Sequence, residues 1–236
     1  MKLRNTALGR QTAMNITYIH HSGFLVETAR CYYLFDYESG PLPQMDTEKP
    51  IFALSSHSHA DHYNPEIFSL LAASGMQHVH AILSDDITPP GNLPTLRVSP
   101  GKQYALGPRQ TLTTFQSTDL GVAFLIEDQD QLIYHAGDLN DWVWDEETDA
   151  YNQQMTQDYR KQIQLLAETL NHREIDTAFV VLDPRQEKDY DRGLCYFLEA
   201  VPTKQVYPMH YWDDPSIIET FLNDHPEYIP QIQKTE

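Results

Sequence analysis

The sequence predicts an α/β fold in which short strands dominate the first half and amphipathic helices enter the second. Three observations lead there. Brief apolar runs bounded by turn residues recur up to residue 135, a single long helical pattern spans residues 151–171, and a histidine-rich run, His57-Ser58-His59-Ala60-Asp61-His62, directly follows the apolar stretch at 51–54.

In chain order, residues 16–20, 24–28 and 31–37 read as a β-meander, broken by Ser22-Gly23 and Ala29-Arg30. Residues 50–56 form a further strand. Asn64-Pro65 then supplies an N-cap and a proline at the first helical position, followed by Ile67, Leu70 and Leu71 at helical spacing. The histidine run is therefore a loop between a strand and a helix. Residues 79–84, 95–98, 103–106, 111–115, 121–127 and 131–135 are expected to be strands of a second sheet, with Asp128-Gln129-Asp130 as a hairpin turn. Met155, Tyr159, Ile163, Leu166 and Leu170 recur at helical spacing, and their stripe is read as core. Residues 178–182 and 205–209 read as strands, with helical stretches at 194–200 and 215–223.

At 236 residues the chain can bury a full core, and no compositional break divides it. One domain over residues 14–236 is expected, with 1–13 as a loose N-terminal extension and Met14 as a possible start. Thirty-four acidic and 16 basic side chains give a formal charge of -18, which repels nucleic acid and anionic membrane surfaces alike. A small-molecule substrate is expected instead, and oligomeric state is left open. The two cysteines, Cys31 and Cys195, lie among apolar or aromatic neighbours and read as free thiols, which suits a cytoplasmic location. No apolar run reaches membrane-span length, and residues 1–14 lack the apolar core expected of a secretory signal.

Imidazole is a common ligand for zinc, manganese and iron, and a neighbouring carboxylate lets a second cation share the site. Such sites draw ligands from several elements. Two later strands end suitably: Tyr134-His135-Ala136-Gly137-Asp138 places a carboxylate just past one strand, and Val206-Tyr207-Pro208-Met209-His210 ends another on a histidine. Taken alone, Asp138 is equally a turn residue and His210 a hydrogen-bonded boundary histidine.

Together these motifs resemble the metallo-β-lactamase fold superfamily of metal-dependent hydrolases, in the same order and over nearly the whole chain. The Tyr-His-Ala before Gly137-Asp138 is similar to single-domain members, among them the ascorbate-6-phosphate lactonase-like and uncharacterised metal-dependent hydrolase branches. The resemblance implies a four-layer αββα sandwich with the site at one edge of the sheets. It also implies that His57 and His59 hold one metal, that Asp61, His62 and His210 hold a second, and that Asp138 bridges them. Zinc is the expected ion, one or two per chain, with manganese or iron as alternatives. A redox di-iron role is disfavoured, because those relatives place Glu in the opening run where this chain keeps His59.

The chain departs from this pattern at one place. Where the superfamily supplies a further histidine to the first metal, residues 114–121 contain none. Asp119 is the best substitute, a strand-capping turn being the equal alternative. The implied reaction is hydrolysis of a small ester, lactone or phosphodiester by metal-bound hydroxide, with Asp61 and Asp138 as catalytic carboxylates and no protein nucleophile. His135 is expected to hydrogen-bond a ligand carboxylate. Trp142 and Trp144 could wall the substrate pocket, and Arg185 could bind a substrate anion, although a contact with Asp183 or Glu187 is favoured. His20-His21 reads as a turn or edge feature. The alternative function is a metal-binding sensor or nonenzymatic protein of the same fold.

Overall fold

A computed structural model describes residues 14–234; the expected loose extension, residues 1–13, lies outside the described residues. The first sheet runs in the order β1 (Asn15–His20), β2 (Gly23–Glu27), β3 (Tyr32–Phe35), β4 (Ile51–Ser55), β5 (Val79–Ser84) and β6 (Thr95–Val98). Its first three strands are the expected antiparallel meander, and β3 to β6 are parallel. The second sheet comprises β7 (Gln103–Gly107), β8 (Gln110–Gln116), β9 (Val122–Asp128), β10 (Gln131–His135), β11 (Ile175–Val181) and β12 (Thr203–Met209). Strands β7 to β10 are antiparallel, whereas β10, β11 and β12 are parallel.

Alternation along the strands builds the layers. Phe24, Val26, Tyr33, Phe35, Phe52 and Leu54 join the core between the sheets, while Leu25, Tyr32, Leu34, Ile51 and Ala53 point outward to meet Ile67 and Leu71 of α1 (Ile67–Ala73). The Phe24 and Phe179 rings, 4.3 Å apart, join the two sheets across this core. Helices α2 (Asp149–Leu170), α3 (Arg192–Ala200) and α4 (Ser216–Asp224) follow the strands of the second sheet, and Phe197 of α3 stacks on Tyr134 of β10 at 5.4 Å. The result is the expected four-layer αββα sandwich.

Two details differ from expectation. Strands β5 and β6 extend the first sheet, because the crossover through α1 returns the chain parallel to β4. Periodicity reports a strand but not its neighbour. Asn64 does not cap α1 directly; its carboxamide oxygen accepts from the Glu66 backbone at 2.9 Å, forming a turn before the helix begins at Ile67. Helix α2 has a side-chain cap, Thr148 accepting from the Tyr151 N–H, and ends at Asn171 in the left-handed region with φ of 48°. Pro208 is accommodated because β12 is an edge strand. Among the described residues, no helix is long and apolar enough to cross a membrane.

The parallel strands of both sheets place their carboxyl ends at one edge. Asp36 follows β3, His57 follows β4, Asp138 follows β10, Asp183 follows β11 and His210 follows β12. Strand carboxyl ends are where open α/β sheets gather ligands.

Candidate metal centre

The loop after β4 is held against the second sheet by close backbone contact. The Val122 N–H donates to the Ser56 carbonyl at 3.0 Å. Gly121, at φ +69°, and Gly137, at φ +52°, lie so near Ser56 that a Cβ would sit 2.0 Å and 2.7 Å from its atoms respectively. His62 and Tyr63 both donate their N–H groups to the His59 carbonyl at 3.0 Å, curling the loop so that its imidazoles converge.

Two sets of donor atoms result, each within 4.8 Å of one another: His57, His59, Asp119 and Asp138 in one, and His21, Asp61, His62 and His210 in the other. Asp138 lies between them. Its Oδ1 is 3.0 Å from His62 Nε2 and 3.3 Å from His210 Nε2, while its Oδ2 is 3.4 Å from His57 Nε2. One carboxylate thus directs an oxygen toward each set, the geometry a bridging ligand needs. Asp119 Oδ2 stands 3.4 Å from His59 Nδ1. Both of those side chains are nearly half exposed, at 45% and 49%, so this set opens to solvent.

The buried nitrogens test whether a cation fits. His57 Nε2, His62 Nε2, His210 Nε2 and Asp138 Oδ1 are buried without a hydrogen-bond partner in the protein. Their far sides are all engaged. His62 Nδ1 donates to Asp36 at 2.8 Å and His210 Nδ1 donates to Asp183 at 2.9 Å. The Ser56 hydroxyl donates to Asp36 at 2.6 Å, so at 3.0 Å it accepts from His57 Nδ1. In each neutral imidazole these contacts put the proton on Nδ1 and turn an Nε2 lone pair inward, which is the state a metal ligand requires. Burial would lower His62, but Asp138 and Asp36 hold it well above the usual imidazole range, so a cation would take the place of a proton there. Orphaned lone pairs aimed at a carboxylate cost several kcal/mol unless a cation takes them up. The donor set therefore fits divalent metal.

Electrostatics agree with this arrangement. Burial alone would raise the Asp138 carboxyl, but His62, His210 and His57 outweigh it and hold it far below the usual range. Burial likewise would raise Asp183, yet hydrogen bonds from His210 and Arg185 bring it down to about 2. His21 is pushed down to about 3 by burial and then by His210 and His62, so it stays neutral with a lone pair available.

His21 is the residue that the sequence reading passed over. It occupies the β1–β2 turn with φ of 51°, is buried, and has neither ring nitrogen hydrogen-bonded. Its ring lies 4.2 Å from that of His210, and its Nε2 is 3.6 Å from Asp61 Oδ2. No local signal distinguishes it from a turn histidine, since its partners lie just after β12 and in the loop after β4. Asp36 and His210 also have positive φ, 42° and 65°. Strained backbone of this kind collects at functional sites.

His135 does not bond a ligand carboxylate as expected. Its Nδ1 accepts from the Gly137 N–H at 3.1 Å, which leaves Nε2 to donate to the Ser22 carbonyl at 2.9 Å. The imidazole therefore ties the turn carrying His21 to the turn carrying Asp138. Its Nδ1 is 3.9 Å from Asp36 Oδ2, which is too long for a hydrogen bond.

Above the two sets lies a cleft of about 260 Å³ lined by His59, Asp61, Asp119, Asp138 and His210 on its polar side. Trp142, Trp144, Tyr151 and Met155 form the other wall, Met155 of the expected core stripe both packing against the core and lining the cleft. Trp142 Nε1 donates to the Asp138 carbonyl at 2.9 Å, and the two indoles stack at 5.8 Å. Arg185 also reaches the cleft. Its Nε donates to Asp183 at 2.9 Å, one of the two contacts expected, while its guanidinium lies 4.6 Å over the Trp212 ring and remains half exposed.

No family model matches the sequence, and no curated protein matches it. Solved structures do. Igni18, a metallo hydrolase from the archaeon Ignicoccus hospitalis, superposes with a TM-score of 0.63 at 15% identity, covering 94% of this chain and 95% of that one. The metallo-β-lactamase fold protein YhfI from Bacillus subtilis gives 0.59 at 15% identity, with 94% and 98% covered. CmlA, a diiron β-hydroxylase from Streptomyces venezuelae, gives 0.60 at 12% identity over 94% of this chain, which spans only 53% of that protein. With two facing six-stranded sheets, outer helices and a donor cluster at one sheet edge, the chain has the metallo-β-lactamase fold.

Proposed function

We propose that the protein is a metal-dependent hydrolase of small molecules, acting on an ester, lactone or phosphodiester. The observation that carries this reading is Asp138, with one oxygen toward each of two donor sets on the floor of an open cleft. His57, His59 and Asp119 would hold one cation, His21, Asp61, His62 and His210 the other, with Asp138 shared. Zinc suits these imidazole and carboxylate donors; manganese or iron fits the carboxylate that stands in for a histidine. When bound, the cations supply Lewis acidity that activates a water and polarises the group under attack.

The remaining work falls to the chain itself. Asp61, one-third exposed at the cleft, is placed to accept a proton from the attacking water. Arg185 offers the cleft a guanidinium oriented by Asp183 and Trp212, suited to a carboxylate or phosphate on the substrate. The Trp142, Trp144, Tyr151 and Met155 wall excludes water and takes an apolar portion. Among the described residues, the one aliphatic hydroxyl lining the cleft, on Thr118, donates to the Asn140 carbonyl at 2.6 Å, which argues for direct hydrolysis without a protein nucleophile.

The test is elemental analysis joined to turnover of a panel of lactones, phosphodiesters and esters. Hydrolysis that disappears in His59→Ala and Asp138→Ala supports the reading. Absence of any turnover with both cations loaded would overturn it in favour of a sensor.

A further inference from the structure

Away from the cleft, α3 and α4 bring a thiol, an imidazole and a carboxylate together. Asp191 immediately precedes α3 and Cys195 lies one turn further on, so the two side chains share a helix face. His225 closes α4. Cys195 Sγ is 3.6 Å from His225 Nε2, and Asp191 Oδ2 is 2.6 Å from the same nitrogen. The three donors lie within 4.8 Å of one another, and Glu227 Oε1 is 3.9 Å from His225 Nδ1.

This is not the geometry of a nucleophilic relay. A Cys-His-Asp relay sets the thiol on one ring nitrogen and the carboxylate on the other, whereas here both crowd Nε2. Burial and the carboxylates of Asp191, Glu199 and Glu227 also push the Cys195 thiol up to about 12, so it is no free thiolate. Three different donors converging on one point from two helices is the arrangement of a coordination site, with spacings a single ion could span at Zn–S about 2.3 Å and Zn–N about 2.0–2.1 Å. Asp191 and His225 are each 24% exposed, so the point is reachable, while Phe221 walls it with its ring 4.8 Å from that of His225.

We propose that Asp191, Cys195 and His225 form a second, separate zinc site that ties α3 to the end of α4, with a fourth position open to solvent. Binding releases the thiol proton to solvent, moves the His225 Nε2 proton to Nδ1, where Glu227 Oε1 lies 3.9 Å away, and so replaces the Asp191 to His225 hydrogen bond by two metal–ligand bonds. The proposal is independent of the hydrolase reading.

The donors of the cleft are nitrogen and oxygen only, so sulfur provides a specific readout. The full-length protein is stripped with chelator and reloaded with cobalt(II). A near-ultraviolet thiolate-to-cobalt charge-transfer band is expected, persisting in Cys31→Ser and lost in Cys195→Ser and His225→Ala. Cys195→Ser, a conservative change at a half-buried position, should also lower zinc content by about one equivalent per chain. The proposal is overturned by no such band while visible cobalt absorption shows the cleft filled, by a band that survives in Cys195→Ser, or by unchanged zinc content in that variant.

Discussion

Gly121→Ala tests the packing that positions His57. A Cβ at Gly121 would lie 2.0 Å from the Ser56 carbonyl oxygen and 2.7 Å from His57 Cβ, where ordinary contact begins at 3.4 Å. Moving from 2.0 to 3.4 Å requires the Ser56 carbonyl to retreat by about 1.4 Å, and close-packed interiors resist shifts of that size. Ser56 cannot retreat alone, because it also accepts from Val122 and its side chain links Asp36 to His57. Two costs therefore combine: about 1–2 kcal/mol for alanine in the left-handed region and about 1–3 kcal/mol for overpacking. At roughly 2–4 °C per kcal/mol for a chain of this size, the melting midpoint should fall by about 4–20 °C. A displacement near 1 Å at a catalytic centre costs about 100-fold in rate.

Gly101→Ala is the matched control, with φ of +67° and nothing within 4 Å of the added Cβ. It should show the backbone cost alone, about 1–2 kcal/mol, with metal content and turnover unchanged. The assays are thermal melting, bound metal per chain and hydrolysis of the best substrate. If both variants melt alike and Gly121→Ala keeps full metal and activity, the close approach does not set the His57 position.

Three further outcomes follow from the geometry. His21→Ala should weaken one cation by about 10–100-fold, seen as reduced metal content after dialysis; undiminished content would remove His21 from the set. Asp183→Ala should weaken the same cation by a similar factor, since His210 loses the carboxylate that fixes its tautomer, and metal titration followed by calorimetry would measure it. Arg185→Ala should raise KM about 10–100-fold for substrates bearing a carboxylate or phosphate, the loss of a charged hydrogen bond of about 1.5–3 kcal/mol, while a neutral ester is turned over as before. An equal loss on both substrate types would assign Arg185 to positioning Asp183 instead.

Much of the donor set was legible in sequence because chain proximity and chemistry coincide there. The run from His57 to His62 compresses its donors into one loop, and a strand that ends in Asp138 or His210 presents that residue at a sheet edge whatever the remaining topology. Period-2 alternation in β2, β3 and β4 likewise sorts core from outer face without reference to other elements. Strand partners are a different matter. Nothing local to β5 or β6 says which sheet they join, because that choice is made by the α1 crossover and by burial against distant strands.

The sequence by itself determined the strands, the long helix and a histidine and carboxylate loop between a strand and a helix, since hydrophobic period and ligand chemistry are properties of neighbouring residues. The sandwich with its site at one edge was what the resemblance of its motifs implied. Tertiary structure alone decided that Asp119 stands beside His59, that His21 joins His62 and His210, and that Asp36, Ser56 and Asp183 fix the imidazole tautomers. The first of these contacts, and His21 with His210, bring together turns from opposite sheets, whereas the tautomer-fixing bonds join neighbouring strand ends of one sheet. Their distances depend on how the two sheets pack and on backbone strain at His21, Asp36 and His210, neither of which is encoded in any short stretch of chain.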